Sequence, residues 1–280
     1  MAEIRRLVSL PPRADDGNKG SFGTVIVIGG SENYIGAPLL SGKAAYRAGC
    51  GLVEMVVPEI VRNICAGSFP EAIWNCRAFA EGYVPERKNS IAVIGPGLGT
   101  SAETAEKLSK LIRSAAESCR MLVLDADALN MLARIPDWYR TIPPNCVLTP
   151  HPGEMARLTG LTVEAIQSDR TGVAHRKAME WQQIILLKGA NTVIAAPEGY
   201  YLVLPYASSA LSVAGSGDVL SGIIAGFAAQ GKFPFDAAWL GGEIHARAGL
   251  LCAERFGNHY SVMAGDLLGC IPEAISNYPG

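Results

Sequence analysis

The sequence predicts an open α/β fold, a mostly parallel sheet with helices on both faces. Three observations predict it. Short apolar, β-branched runs alternate with longer stretches at helical spacing. The runs at 24–28, 91–94, 121–124, 147–149 and 184–187 all end in loops carrying glycine, a charge or histidine. In a parallel sheet those loops gather on one edge, where such sheets bind ligands. Finally, Val213-Ala214-Gly215-Ser216-Gly217-Asp218 followed by an apolar run reads as a tight loop feeding a helix N-terminus.

The first run, 24–28, is unbroken, as in a strand buried on both faces. Gly29-Gly30-Ser31 ends it, 37–48 is helical, and 52–57 is the next strand. Further strands are expected at 91–94, 121–124, 147–149, 184–187 and 193–196. The last of these forms a hairpin with 200–204 through Pro197-Glu198-Gly199. Helices are expected at 102–116, 170–181, 219–229, 235–254 and 264–270.

Composition bounds the function. The chain has 280 residues, is 49% hydrophobic and 18% charged, and carries a net charge of −2. That suits one domain over 1–280, with 1–18 as a flexible leading segment containing Pro11, Pro12, Asp15, Asp16 and Gly17. Near-neutral charge argues against a nucleic-acid surface. The cysteines number 7, an odd count with no C-x-x-C pair, which fits reduced thiols in the cytoplasm. Arg5-Arg6 precedes only a very short apolar run, so no signal peptide is expected. The longest apolar helix is broken by Ser and Gly and is too short to span a bilayer.

Several loops have two readings. Gly95-Pro96-Gly97-Leu98-Gly99 is a ligand-contacting loop or a plain turn. Asp125 and Asp127 could hold Mg²⁺ through waters or cap the next helix. His151, between Pro150 and Pro152, has a fixed backbone that suits a binding contact or a structural hydrogen bond. The four histidines show no metal-ligand spacing, so no metal ligand is assigned. Lys188, at a strand tip beside Gly189, can reach phosphate as a point charge. Asp218 is an N-cap or a base that takes a hydroxyl proton. Gly29, Gly30 and Gly36 miss the G-x-G-x-x-G spacing, which disfavours a dinucleotide-dependent oxidoreductase.

The set Lys19-Gly20-x-x-Gly23, Gly29-Gly30-Ser31, Gly95-Pro96-Gly97-Leu98-Gly99, Asp125-Ala126-Asp127-Ala128-Leu129-Asn130, Thr149-Pro150-His151-Pro152-Gly153-Glu154, Lys188-Gly189-x-x-Thr192 and Gly215-Ser216-Gly217-Asp218 resembles the ADP/ATP-dependent NAD(P)H-hydrate dehydratases. The resemblance runs from Lys19 to the last helix and implies the ribokinase-like three-layer α/β/α fold. It implies a carbon-oxygen lyase that repairs the (S)-epimer of hydrated NADH or NADPH, with ADP or ATP as co-substrate and Mg²⁺. By motif, Ala37, Gly97, His151 and Asp218 would contact the hydrate, with Asp218 the catalytic base. Lys188, Gly189, Ala190, Asn191, Thr192 and Gly217 would hold the nucleotide. Ala214, Gly215, Ser216 and Gly217 would form the anion hole.

Two positions depart from the pattern: Asn18, where the family often has His, and Ala214, where it often has Gly. Many relatives carry an epimerase domain in front. This chain has no room for one, so a separate epimerase partner is expected, as is a homo-oligomer, a tetramer. The remaining alternatives are a ribokinase-like kinase of the hydroxyethylthiazole or sugar type and a non-catalytic nucleotide sensor. The histidine motif disfavours the former, and an intact Asp218 and Lys188 disfavour the latter.

Overall fold

The computed structural model describes every residue except Met1, Arg5, Arg6 and Lys88, so the Arg5-Arg6 reading lies outside the described residues. The strands are β1 (Ala2–Glu3), β2 (Thr24–Ile28), β3 (Leu52–Val56), β4 (Ile73–Trp74), β5 (Ser90–Ile94), β6 (Met121–Leu124), β7 (Val147–Leu148), β8 (Ile184–Leu187), β9 (Val193–Ala195) and β10 (Tyr200–Val203). The helices on one side of the sequence midpoint are α1 (Gly36–Arg47), α2 (Glu59–Cys65), α3 (Cys76–Glu81), α4 (Ala102–Ser118) and α5 (Ala126–Leu132). They are followed by α6 (Pro152–Thr159), α7 (Val163–Ser168), α8 (Arg170–Trp181), α9 (Ser216–Ala229), α10 (Pro234–Phe256) and α11 (Ala264–Ser276).

The strands form one 10-stranded sheet in the order β1-β10-β9-β8-β7-β6-β5-β2-β3-β4. Neighbours from β4 to β8 are parallel, because helical crossovers return the chain to the same edge. The strand β9 is antiparallel to both β8 and β10, since its connections are short loops that only reverse the chain. The expected hairpin is present, with Tyr201 opposite Ala195.

Alternate residues of each strand face opposite sides. Val25, Val27, Ile91 and Val93 pack with Ala44 of α1, Val219 of α9, Ile244 of α10 and Leu267 of α11. Ile26, Ile28, Ala92 and Ile94 pack with Leu108 of α4, Leu129 of α5, Met155 of α6 and Val173 of α8. Both faces are therefore covered, giving the three-layer α/β/α arrangement. That is why β2 and β5 are apolar beyond their first residues, Thr24 and Ser90, with every residue buried.

The chain lays β3 and β4 outward from β2, then returns to place β5 on the other flank of β2. The loops after β2 and β5 thus face one another at the switch point, where open α/β sheets bind ligands. On the first side, α1 and α9 pack closely: a Cβ at Gly222 would sit 2.1 Å from the Ser41 carbonyl. Ser41 Oγ donates to the Asp218 carbonyl at 2.8 Å, so α1 also fixes the start of α9.

Two expectations are corrected. The leading segment is docked: Ala2 and Glu3 pair with Tyr200 and Tyr201, Val8 is 4% exposed, and Tyr278 Oη donates to the Val8 carbonyl. An edge strand leaves backbone groups unpaired, and this segment supplies partners for them along β10. The last helix continues through Pro272 to Ser276. The helices α2, α3, α6 and α7 were not separately legible, being too short to show a helical period. Among the described residues no helix is long and apolar enough to cross a membrane.

Candidate active site

The N-cap of α9 is Gly215, at φ 90°, with no capping side chain. Asp218 is therefore not the cap; it stands in the first turn. Its carbonyl accepts from Ser41 Oγ, while its carboxylate has no hydrogen-bond donor among the described residues. Burial pushes this carboxyl up to about 8, helped by the negative charges of Asp125, Asp127 and Glu154 and opposed by Lys188.

Lys188 extends from the end of β8 into this group. Its Nζ donates to Asp125 Oδ1 at 2.7 Å and lies 3.7 Å from Glu154 Oε2. Burial works against the ammonium, but Asp125, Glu154 and Asp218 outweigh it and raise its pKa. Asp125 is 1% exposed and fully engaged. Besides Lys188 it accepts from Ser221 Oγ at 2.6 Å and, as the cap of α5, from the Ala126 N–H at 2.9 Å. Asp127 accepts from the Gly99 N–H at 2.8 Å, tying the glycine loop after β5 to α5. The capping reading of this pair is thus borne out for Asp125.

His151 caps α6. Its Nδ1 accepts from the Gly153 N–H at 3.0 Å, and Glu154 Oε2 accepts from the His151 N–H at 2.8 Å, a reciprocal capping box. Burial lowers the imidazole pKa, with Lys188 and Arg157 adding to the effect. Burial raises that of Glu154 against the pull of Lys188. The outer part of the ring stays half exposed at the rim of a cavity.

That cavity, about 660 Å³, is lined by Lys188, Gly189, Ala190, Thr192, Ser216 and Gly217, among others. Asn191 is held beside it, its N–H donating to the Tyr206 carbonyl at 2.8 Å. Gly217 marks a close approach: a Cβ there would meet Lys188 Nζ at 3.2 Å and Asp125 Oδ2 at 3.8 Å. Of the expected anion-hole residues, Ser216 already donates its N–H to the Val213 carbonyl at 3.2 Å. The Gly217 and Asp218 N–H groups of this first turn have no partner among the described residues, which leaves them for an anion.

Ala37 and Gly97 do not line this cavity. They meet each other at the switch point, where a Cβ on Gly97 would sit 3.0 Å from that of Ala37. The helix α1 joins the two places, since Leu40 and Ser41, one turn on from Ala37, touch Gly215 and Asp218. The glycines Gly29 and Gly95 serve backbone packing instead of a ligand, against the carbonyls of Pro96 and Asp125. Sequence reasoning missed Ser221, His245 and the 207–213 loop lining the cavity. Ser221 falls one helical turn after Gly217, a spacing that could have found it.

A sequence profile of the family described as NAD(P)H-hydrate dehydratase matches residues 25–273. The chain belongs to the NAD(P)H-hydrate dehydratase family. It is 42% identical over 96% of its length to the bifunctional NAD(P)H-hydrate repair enzyme Nnr of Moorella thermoacetica, covering 52% of that protein. The chain thus spans about half the length of the bifunctional relatives it matches. It is 36% identical over 91% of its length to the ADP-dependent (S)-NAD(P)H-hydrate dehydratase of Neisseria meningitidis, covering 86% of that protein. Its fold matches that of the ADP/ATP-dependent NAD(P)H-hydrate dehydratase from Bacillus subtilis co-crystallized with ATP/Mg²⁺. That match has a TM-score of 0.84 and 30% identity, covering 96% of this chain and 94% of the other. A ribokinase-like superfamily protein from Enterococcus faecalis matches with a TM-score of 0.84 and 26% identity, covering 96% of this chain and 92% of the other, so the three-layer fold is ribokinase-like as expected.

Proposed function

We propose that the protein dehydrates the (S)-epimer of hydrated NADH or NADPH, using ADP or ATP to phosphorylate the ring hydroxyl. The observation that carries this reading is the Asp218 carboxylate. It is a partly buried carboxyl with a pKa raised to about 8, without a donor of its own among the described residues, in the first turn of a helix that borders an anion-ready cavity. A base poised near the working pH is the one best matched to deprotonating a hydroxyl. The named relatives support the substrate class.

In this reading the hydrate lies over Ala37 and Gly97, with His151 at its edge. Asp218 takes the hydroxyl proton as the oxygen attacks the terminal phosphorus, and the shortened nucleotide leaves. Lys188 and the Gly217 and Asp218 N–H groups offset the charge on the transferring phosphoryl group. The C–O bond then breaks, phosphate departs, a ring proton is lost and the double bond of the reduced nicotinamide returns. Lys188 to Thr192 and Gly217 hold the nucleotide.

The residues present do not make a protein-held Mg²⁺ site. Asp125 is engaged by Lys188 and Ser221, and Asp127 by Gly99. Among the described residues no three His, Cys, Asp or Glu groups gather as a cage. An ion carried on nucleotide phosphates and water matches how Mg²⁺ is commonly bound. A cytoplasmic location, a homo-tetramer and a functional link to an epimerase acting on the same hydrate belong to the same proposal. The test is recovery of NADH absorbance from the hydrate with ADP or ATP. Faster phosphorylation of a sugar or thiazole alcohol would favour a kinase instead.

A further inference from the structure

The start of α9 lacks the side-chain cap that normally fixes a helix N-terminus, because Gly215 occupies the cap position. It is held from outside instead. Ser41 of α1 holds the Asp218 carbonyl from one side. On the other side, Ser216 Oγ and His245 Nε2 lie 2.9 Å apart. His245 comes from the middle of α10, is 8% exposed, and lines the nucleotide cavity with its neighbours Gly242 and Ala246. Ser216 is 4% exposed, and its N–H is already bonded to the Val213 carbonyl. Its hydroxyl is thus its tie from this turn to α10.

We propose that His245 is a positioning residue of the nucleotide site: through Ser216 it holds the first turn of α9 so that the Gly217 and Asp218 N–H groups stay available to an anion. The proposal rests on the nucleotide-dependent reading above. Burial drives the imidazole down to about 4, against the backbone of Ser216 and with help from Lys188, so the ring is neutral. A neutral ring offers one donor and one acceptor. It fixes the loop without adding a second cation to compete with Lys188 for phosphate. A histidine serving only the core would pack as well with an apolar replacement, and nucleotide affinity would not register the change.

The test is calorimetric titration of ADP and of ATP into the parent and into Ser216→Ala, His245→Leu, their double variant and His245→Gln. Melting temperatures confirm that each is folded. Ser216→Ala and His245→Leu should each weaken nucleotide binding about three- to tenfold, the worth of one neutral hydrogen bond. The double variant should bind no more weakly than either single one, since both remove the same contact. His245→Gln, whose amide also donates and accepts, should restore affinity, and the KM for the hydrate should not move. Nucleotide affinity within about twofold of the parent in folded Ser216→Ala overturns the proposal, as do effects that add in the double variant. If His245→Leu fails to fold, Ser216→Ala and His245→Gln decide the matter. Nucleotide binding that depends on His245 in a protein unable to restore NADH would sink the dehydratase reading and leave this one standing. No nucleotide binding by the parent overturns both.

Discussion

At the scale of single residues, Asp218 carries the account. Asn is nearly isosteric but cannot accept a proton at neutral pH, so Asp218→Asn should lower kcat by roughly 10²–10⁴-fold. Nucleotide affinity should hold at neutral pH, where a carboxyl titrating at about 8 is mostly uncharged, and tighten relative to the parent only above that, where the parent carries a negative charge near the phosphates. Stability should move the other way. The folded carboxyl titrates at about 8 against an ordinary value of 3.8, so between these the folded state holds more protons than the unfolded one. The parent therefore loses stability as pH rises through that window. The melting temperature of Asp218→Asn should gain on the parent's between about pH 4 and pH 8 and level off above that, as scanning calorimetry would show. Lys188→Met should strand the buried Asp125 carboxylate and cost about 3–5 kcal/mol in a denaturant titration. Asp218 and Lys188 were legible because each follows glycine or a strand within a few residues. Their electrostatics were not, since Asp125 and Lys188 are 63 residues apart and only the sheet order joins them.

At the scale of elements, α6 shows two roles in one side chain. Its cap is His151, whose ring stops half exposed at the cavity rim. His151→Ala should cost about 1 kcal/mol by loss of the cap and raise the hydrate KM, with nucleotide affinity nearly intact. His151→Asn keeps a capping oxygen, so it should recover the stability and not the KM. Equal recovery of both would leave the ring with a capping role alone. The binding and hydrogen-bonding readings of this residue were both visible in the sequence, because Pro150 and Pro152 flank it. Elements were legible where burial repeats a period, as in α4 and α8, whose expected starts match the structure. The short α6 was legible only as a loop, while α5 was legible only through its capping carboxylate, because what starts them is a capping side chain and not a period.

At the scale of the whole molecule, the sheet order brings together chemistry scattered through the sequence. Because β5 returns beside β2, the start of α1 carrying Ala37 meets the loop carrying Gly97, and β6 to β8 bring Asp125, His151 and Lys188 alongside. The parallel layer was legible from runs buried on both faces. The docked leading segment was not, since its partner is the backbone edge of β10 and backbone edges leave no mark on side-chain pattern. Replacing Val8 by Asp should lower the melting temperature while leaving both KM values unchanged, as the residue is buried and is not part of the cavity lining. The measurement that bears most directly on the central claim is NADH absorbance after hydrated NADH is mixed with the folded protein and either ADP or ATP, with Asp218→Asn in parallel. The account requires nucleotide-dependent recovery by the parent and a rate at least about a hundredfold lower in the variant. Recovery by Asp218→Asn within a few-fold of the parent, or none by the parent with either nucleotide, would contradict it.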